Sequence, residues 1–244
     1  MKPSRQRTRK TIVLVSFLLF PITMNYLSPY LIVDGAAAGI ITGSFIFFAL
    51  LFAASLFFGR AFCGYVCPVA GLDEICTIMR DKRVKGGDWI KYLIWTLWLG
   101  LIAFLAVKAG GYHHINPLYM TDYGVSVSNP FSYINYYFVV GVLALLALAV
   151  GRRSACHHIC WMAPFMIIGT RIRNLFKWPA LHLEAEKEKC TSCGRCSREC
   201  PMSLEVREMA QRGKMTHDEC ILCGNCVDVC QKGVIKYTWR AGKS

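Results

Sequence analysis

The feature that most constrains the fold is a spacing of cysteines that occurs twice near the end of the chain. The segment CTSCGRCSRECP begins at Cys190, and the segment CILCGNCVDVCQ begins at Cys220. In each run, three cysteines stand at every third position and a fourth follows four positions later. The chain has 13 cysteines, enough by count for a disulfide framework, but this spacing crowds thiols into short loops and favours metal sites instead.

This spacing is that of bacterial domains with two [4Fe–4S] clusters, in which the first three cysteines of a run bind one cluster and the fourth reaches the other. It therefore predicts two clusters with crossed ligands. Cluster I is expected at Cys190, Cys193, Cys196 and Cys230, and cluster II at Cys220, Cys223, Cys226 and Cys200. Zinc ribbons are the alternative, but they use two separated C-x2-C pairs and would leave the third and fourth cysteines of each run without a role.

The chain as a whole is too apolar for an ordinary soluble domain, because 55% of its 244 residues are hydrophobic. Four stretches approach the ~20 apolar residues that a membrane-spanning helix needs. They are Thr11–Val33, Ala37–Phe58, Ile90–Val107 and Tyr133–Val150. Asp34 and Gly35 leave room only for a tight hairpin between the first two.

The basic residues predict how this chain is oriented. Residues 1–10 contain five, residues 60–91 six and residues 152–177 five, whereas residues 109–132 contain none. Because basic loops stay on the cytoplasmic side, both termini and the cysteine-rich tail are expected in the cytoplasm, on the inner (cytoplasmic) membrane. The net charge of +13 then reflects topology and attraction to anionic membrane lipid, and nucleic acid is not an expected partner.

A second cysteine pattern occurs twice at the predicted cytoplasmic ends of helices. Cys63 and Cys67 stand in FCGYVCPVAG, and Cys156 and Cys160 stand in ACHHICWMAP. Each pair follows two apolar stretches and precedes an amphipathic segment, which we expect to lie as a short helix in the membrane interface. The order predicts two parallel helix-hairpin repeats that deliver both pairs to the same face.

These observations predict a membrane all-α four-helix bundle with an attached α+β ferredoxin-type domain. Residues 1–178 would form the membrane domain with its two cytoplasmic cysteine-pair segments. Residues 179–244 would form the double-[4Fe–4S] domain, and KWPAL (Lys177–Leu181) marks the break between the two.

The four paired cysteines have several interpretations from the residues alone. A C-x3-C pair on a helix places both sulfurs on one face, so two pairs could converge and hold a third metal or iron–sulfur centre. A dithiol/disulfide couple or a copper(I) site is also compatible with soft thiolates, and His157 or His158 could replace a cysteine. The plain alternative is that these cysteines are small packing residues at tight helix exits.

The motif at Cys63–Pro68, the pair Cys156 and Cys160, and the eight tail cysteines make the chain similar to the membrane-bound polyferredoxins of the NapH type and to the matching half of NosR. The resemblance covers essentially the whole chain. It implies electron transfer between the membrane quinone pool and a partner oxidoreductase or ferredoxin-like subunit. The second motif departs from the pattern, because Trp161 replaces the proline.

The resemblance leaves two other functions open. Copper-reducing assembly proteins of cytochrome oxidase share this layout, so a metal-handling assembly factor could reduce copper or iron at the paired cysteines. A non-catalytic anchor could instead dock a soluble redox enzyme. No residue is assigned a catalytic role.

The position of a quinone site is constrained only in part. The outer loop carries His113, His114 and Asp122, residues suited to accept quinol protons. However, this loop would lie a full hydrocarbon thickness, ~30 Å, from the cytoplasmic metals. A site near the paired cysteines is physically better, although the sequence does not identify its residues.

We expect anaerobically purified protein to contain iron and acid-labile sulfide in equal amounts, at least about eight of each per chain, because two cubanes need that many. Elemental analysis with a sulfide assay checks this. Stoichiometric zinc without sulfide would contradict the assignment of the tail.

Overall fold

The structure is a computed structural model that describes residues 3–84 and 86–241. Its helices are α1 Pro3–Leu18, α2 Phe20–Thr23, α3 Pro29–Ala38, α4 Gly43–Phe58, α5 Ala61–Tyr65, α6 Pro68–Met79, α7 Trp89–Lys108, α8 Pro130–Val150, α9 Ser154–His158, α10 Met162–Phe176, α11 Arg195–Arg198, α12 Val206–Gln211 and α13 Asn225–Val229. Its strands are β1 Ile40–Thr42, β2 His114–Asn116, β3 Pro179–Ala185 and β4 Ile235–Ala241. Strands β1 and β2 pair in parallel, and β3 and β4 pair antiparallel with Pro179 opposite Ala241.

Two described helices are long and apolar enough to cross a membrane. They are α7, with 20 residues, and α8, with 21. Large apolar side chains on both point away from the protein, as at Val107 and Phe131, which are more than four-fifths exposed. Helix α4 is equally apolar but has only 16 residues. These helices indicate association with a membrane.

The first predicted span, Thr11–Val33, is not one helix. Helix α1 ends at Leu18, and Pro21 and Pro29 lie at the starts of α2 and α3. Proline lacks the N–H that a continuous helix needs and clashes with the preceding turn, so the chain restarts twice in this region. The prediction of one continuous spanning helix over Thr11–Val33 is therefore wrong.

The predicted hairpin at Asp34 and Gly35 is also wrong. Both residues lie inside α3, and the chain reverses at Gly39, whose φ of 67° is a left-handed conformation that glycine adopts without strain. Strand β1 then folds back over α3. A Cβ atom at Gly35 would lie 2.7 Å from the carbonyl oxygen of Ile40, so only glycine allows this approach.

The two amphipathic segments form the helices α6 and α10, and each packs against another helix. Helix α6 packs lengthwise against α1, where Gly71 lies against the backbone of Val13 and Glu74 pairs with Arg9 at 2.6 Å. Helix α10 packs against α4, where Gly169 lies against Ser55. Each cysteine pair is therefore followed by a helix that packs against another helix of residues 3–178, which we call the membrane half.

The cysteine-rich tail begins with β3 at Pro179, the residue where the second domain is predicted to start. It is fastened to the membrane half by buried charges. Glu219 lies 2.7 Å from a guanidinium nitrogen of Arg60 and 2.6 Å from the ammonium of Lys91, and all three side chains are at most 5% exposed. Gln6 also donates a hydrogen bond to the carbonyl oxygen of Cys223, at 3.0 Å.

The backbones of the two halves lie directly against each other at Gly64. A Cβ atom on this residue would lie 2.5 Å from the carbonyl oxygen of Ile221 and 3.4 Å from the Cα of Cys223. The segment that follows Cys63 thus lies directly against the predicted ligands of cluster II.

We expect Gly64→Ala to destabilise the docking of the tail by about 1–3 kcal/mol, because the new methyl group must displace backbone rather than a flexible side chain. Thermal unfolding in detergent, followed by loss of cluster absorbance, measures the effect. The matched control is Gly100→Ala in α7, where a Cβ meets no atom within 4 Å. Equal thermal-unfolding midpoints for the two variants would contradict the contact between Gly64 and the segment Ile221–Cys223.

Candidate metal centres

The predicted ligands of cluster II surround one apolar cavity. Cys200 joins Cys220, Cys223 and Cys226 in its wall, although Cys200 comes from the other cysteine run. The remaining wall is largely Met202, Leu204, Met215 and Ile221 and contains no charged side chain. Burial raises the pKa of the Cys200 thiol to about 12, so a free thiol here would stay protonated without a metal.

The predicted ligands of cluster I surround a second cavity of about 160 Å³. Cys190, Cys193 and Cys196 are joined there by Cys230. Cys193 is the exposed member of the set, and the backbone N–H of Arg195 lowers the pKa of its thiol. The structure thus brings together both crossed sets of four cysteines that the spacing predicts.

Both loops take the same backbone path around their cavities. Ser192 and Gly194 have positive φ on either side of Cys193, and Leu222 and Gly224 have positive φ on either side of Cys223. This alternation curls each loop so that successive cysteines can face one centre. Helices α11 and α13 follow at once, carry Cys196 and Cys226, and send the chain on to Cys200 and Cys230.

The four paired cysteines also converge. Cys63, Cys67, Cys156 and Cys160 all line a cavity of about 720 Å³. Cys63, Cys67 and Cys156 are at most 4% exposed. Neither His157 nor His158 lines this cavity, and their Nδ1 atoms instead contact Asp88 at 2.6 Å and the carbonyl oxygen of Ser154 at 2.9 Å. The suggestion that a histidine replaces a cysteine is therefore not supported by the geometry.

Two buried arginines flank the converged thiols. Arg60 and Arg153 each stand three residues before the first cysteine of a pair, and each is 1% exposed. Arg60 pairs with Glu219, and Arg153 lies 3.3 Å from Asp73 while donating a hydrogen bond to the carbonyl oxygen of Cys63. Sequence reasoning missed them, although R-x-x-C recurs in both repeats.

Both arginines keep buried nitrogen atoms that have no hydrogen-bond partner. These are Nε and Nη2 of Arg60 and Nη2 of Arg153. Unpartnered charged groups are costly to bury. Two such cations beside four thiols fit an anionic centre, because thiolates and an iron–sulfur cluster would supply acceptors for these nitrogen atoms in addition to the carboxylates.

Thiols around a single ion would lie closer together than these do. Within residues 3–84 and 86–241, the one set of three or more acidic, histidine or cysteine ligand atoms within 4.8 Å of one another is Asp88, His157 and Glu219. The ammonium of Lys91 lies 2.6 Å from Glu219 and 3.6 Å from Asp88, so this set forms an ion-pair network. Among the described residues, no three of the paired cysteine sulfurs lie within 4.8 Å of one another, so they do not form a compact site for a single ion.

Comparison with known proteins agrees with these cavities. A family model described as a 4Fe-4S dicluster domain matches residues 182–231, and one described as a 4Fe-4S binding domain matches residues 40–85. The second match contains Cys63 and Cys67. No solved structure was found to match the chain.

Three relatives have names that describe redox proteins. The putative electron transport protein YccM of Escherichia coli is 24% identical over 82% of the chain and 57% of its own length. The methylamine utilization ferredoxin-type protein MauN of Methylorubrum extorquens is 29% identical over 75% and 62%. The ferredoxin-type protein NapH of Haemophilus influenzae is 24% identical over 74% and 63%.

By its two family-model matches and its named relatives, the chain is similar to the NapH-type membrane polyferredoxins, which are iron–sulfur electron-transfer proteins. It spans about three-fifths of the length of the three relatives named above.

Crossed ligation in this chain can be tested with pairs of single variants. We expect Cys230→Ser to alter the EPR signal that Cys193→Ser alters, and Cys200→Ser to alter the signal that Cys223→Ser alters. Cys76→Ser is the control, since Cys76 is buried between α6 and α8 away from all three cavities. If Cys200→Ser instead altered the same EPR signal as Cys193→Ser, the crossed arrangement would be contradicted.

Proposed function

We propose that this chain is a membrane-anchored electron-transfer subunit that passes electrons between the quinone pool and a partner oxidoreductase. Residues 1–178 would form the membrane domain and residues 179–244 the cytoplasmic ferredoxin-type domain, with both termini in the cytoplasm. The observation that carries this proposal is the cavity that the four paired thiols share, because it continues outward between the helices of the membrane half.

The cavity suits an isoprenoid quinone in size and lining. It measures about 720 Å³, within the range of ~300–1,000 Å³ for small-molecule sites. Its wall includes Phe20, Leu31 and Phe138 along its length, and Met120 and Ser126 at the far end from the thiols. His113 and His114 of the outer loop do not line it, so a site at those residues is not favoured.

The cavity that the thiols share extends along the longest helix. Val142 and Leu143 line it and precede the end of α8 at Val150 by eight and seven residues. At 1.5 Å per residue, these two wall residues lie about 11 Å inside that end of the helix. A quinone could therefore approach the thiols from within the bilayer, which removes the need for transfer across the full membrane thickness.

The thiols also lie beside the next centre. Gly64 follows Cys63 and contacts the backbone of Ile221 and Cys223, and the hydroxyl of Tyr65 donates a hydrogen bond to the carbonyl oxygen of Cys223 at 3.3 Å. We assign Cys63, Cys67, Cys156 and Cys160 as ligands of a third iron–sulfur centre, joined to cluster II and then cluster I. Such clusters carry single electrons.

The proposed function is tested with protein in anaerobic nanodiscs. We expect menaquinol to reduce the clusters, or menaquinone to reoxidise dithionite-reduced clusters, because the cavity gives quinone access to the thiols. Val142→Trp fills the cavity and should slow this exchange by ~10-fold or more, while reduction by dithionite is unchanged.

The control is Leu145→Trp, which also lies on α8 but faces outward with 67% exposure. It should change the rate less than about 2-fold, as expected for an exposed position. Absence of any exchange in the wild type would favour the non-catalytic anchor. Equal rates for the two tryptophan variants would place the quinone elsewhere.

A further inference from the structure

The two tail clusters have opposite surroundings. No charged residue lines the cavity of cluster II, whereas four charged residues line that of cluster I and all are basic. They are Arg195, Arg198, Arg207 and Lys232, and all four are exposed. We call these four residues the basic rim.

The basic rim is free of acidic partners. In the described part of the chain, no carboxylate lies within 4.0 Å of any of its four charged groups, whereas four other basic residues of the tail are paired. Arg212 pairs with Glu208, Arg240 with Glu184, and Lys189 and Lys236 both pair with Glu186. Unpaired charges on one face sum to a positive potential at that face.

The rim also surrounds the exposed cysteine of cluster I, Cys193. Electron exchange with another protein requires a cluster near the surface, and cluster II is covered by the membrane half at Gly64. The tail contacts the membrane half through Asp218, Glu219 and Cys223, and also through the backbone of Arg198, whose carbonyl oxygen accepts a hydrogen bond from Arg152 at 2.7 Å. The four side chains of the rim are nevertheless exposed, so they are accessible to a soluble protein.

We infer that the basic rim is the docking surface for an acidic one-electron redox protein, which exchanges electrons with cluster I. This inference rests on the proposed function and specifies the partner's chemistry. At each encounter one electron passes between the cluster held by Cys190, Cys193, Cys196 and Cys230 and the partner's redox group. One centre is oxidised and the other reduced, and no atom or proton is transferred.

The test uses two haem proteins of opposite surface charge as probes. Dithionite-reduced chain in phosphatidylcholine nanodiscs is mixed in a stopped-flow instrument with oxidised cytochrome b5, which is acidic, or cytochrome c, which is basic. We expect the rate constant for cytochrome b5 to fall by ~10-fold or more between low and high salt, and that for cytochrome c to rise.

Charge reversal identifies the surface. The double variant Arg207→Glu with Lys232→Glu should lower the rate constant for reduction of cytochrome b5 by ~10-fold at low salt. It should raise the rate constant for cytochrome c, because the steering potential changes sign. The control, Lys187→Glu with Lys214→Glu, makes the same change in net charge at exposed residues that do not line the cavity. It should alter either rate by a clearly smaller factor than the rim variant does, because electrostatic steering weakens with distance from the docking surface.

Several outcomes would overturn the inference. One is equal effects of the two double variants, and another is a cytochrome b5 rate that does not depend on salt. A third is loss of the cytochrome b5 preference in nanodiscs of phosphatidylglycerol, which would show that anionic lipid covers the rim. Quinone exchange is measured on the same samples, so a failure of the proposed function is seen separately from a failure of the docking surface.

Discussion

The arrangement of this protein depends on the contact between Gly64 and the segment Ile221–Cys223. Electron carriers must lie close together, and this contact places the first cysteine pair against the predicted ligands of cluster II. Glu219, held by Arg60 and Lys91, fixes the same segment from the other side. Buried ion pairs add little net stability, but breaking one leaves an uncompensated charge, so this cluster of charges favours one docked orientation over others.

The two repeats explain why four thiols converge far from either end of the chain. In each repeat an apolar helix ends, a glycine with positive φ reverses the chain, and an arginine precedes the first cysteine by three residues. Helices α6 and α10 then pack back against α1 and α4. The cysteine pairs are thus brought to one cavity whose wall they share with residues of α3 and α8.

Much of the tail could be predicted from the sequence because metal ligation imposes a local spacing, and both crossed cysteine sets do line common cavities. The long apolar stretches that form α7 and α8 could be predicted equally well. The structure of the first apolar stretch could not, because its composition suggests one spanning helix while Pro21 and Pro29 break that helix. The reversal at Gly39 was missed since Asp34 and Gly35 also form a typical turn sequence.

The site beyond the cysteines depended on tertiary packing that no local pattern encodes. The cavity is formed by segments as distant in sequence as Phe20 and Met162, so its lining could not be foreseen. Arg60 and Arg153 looked like basic residues at the cytoplasmic ends of helices, where positive charge is expected anyway. Only their burial and their unpartnered nitrogen atoms distinguish them as counter-charges to the thiols.

The most direct measurement is freeze-quench EPR of the anaerobic protein after mixing with menaquinol, for the wild type and for Cys63→Ser with Cys156→Ser. The account predicts that both proteins show the two tail clusters after dithionite reduction, but that menaquinol reduces those clusters only in the wild type. Reduction by menaquinol at the wild-type rate in the double variant would show that electrons reach the tail without the paired cysteines.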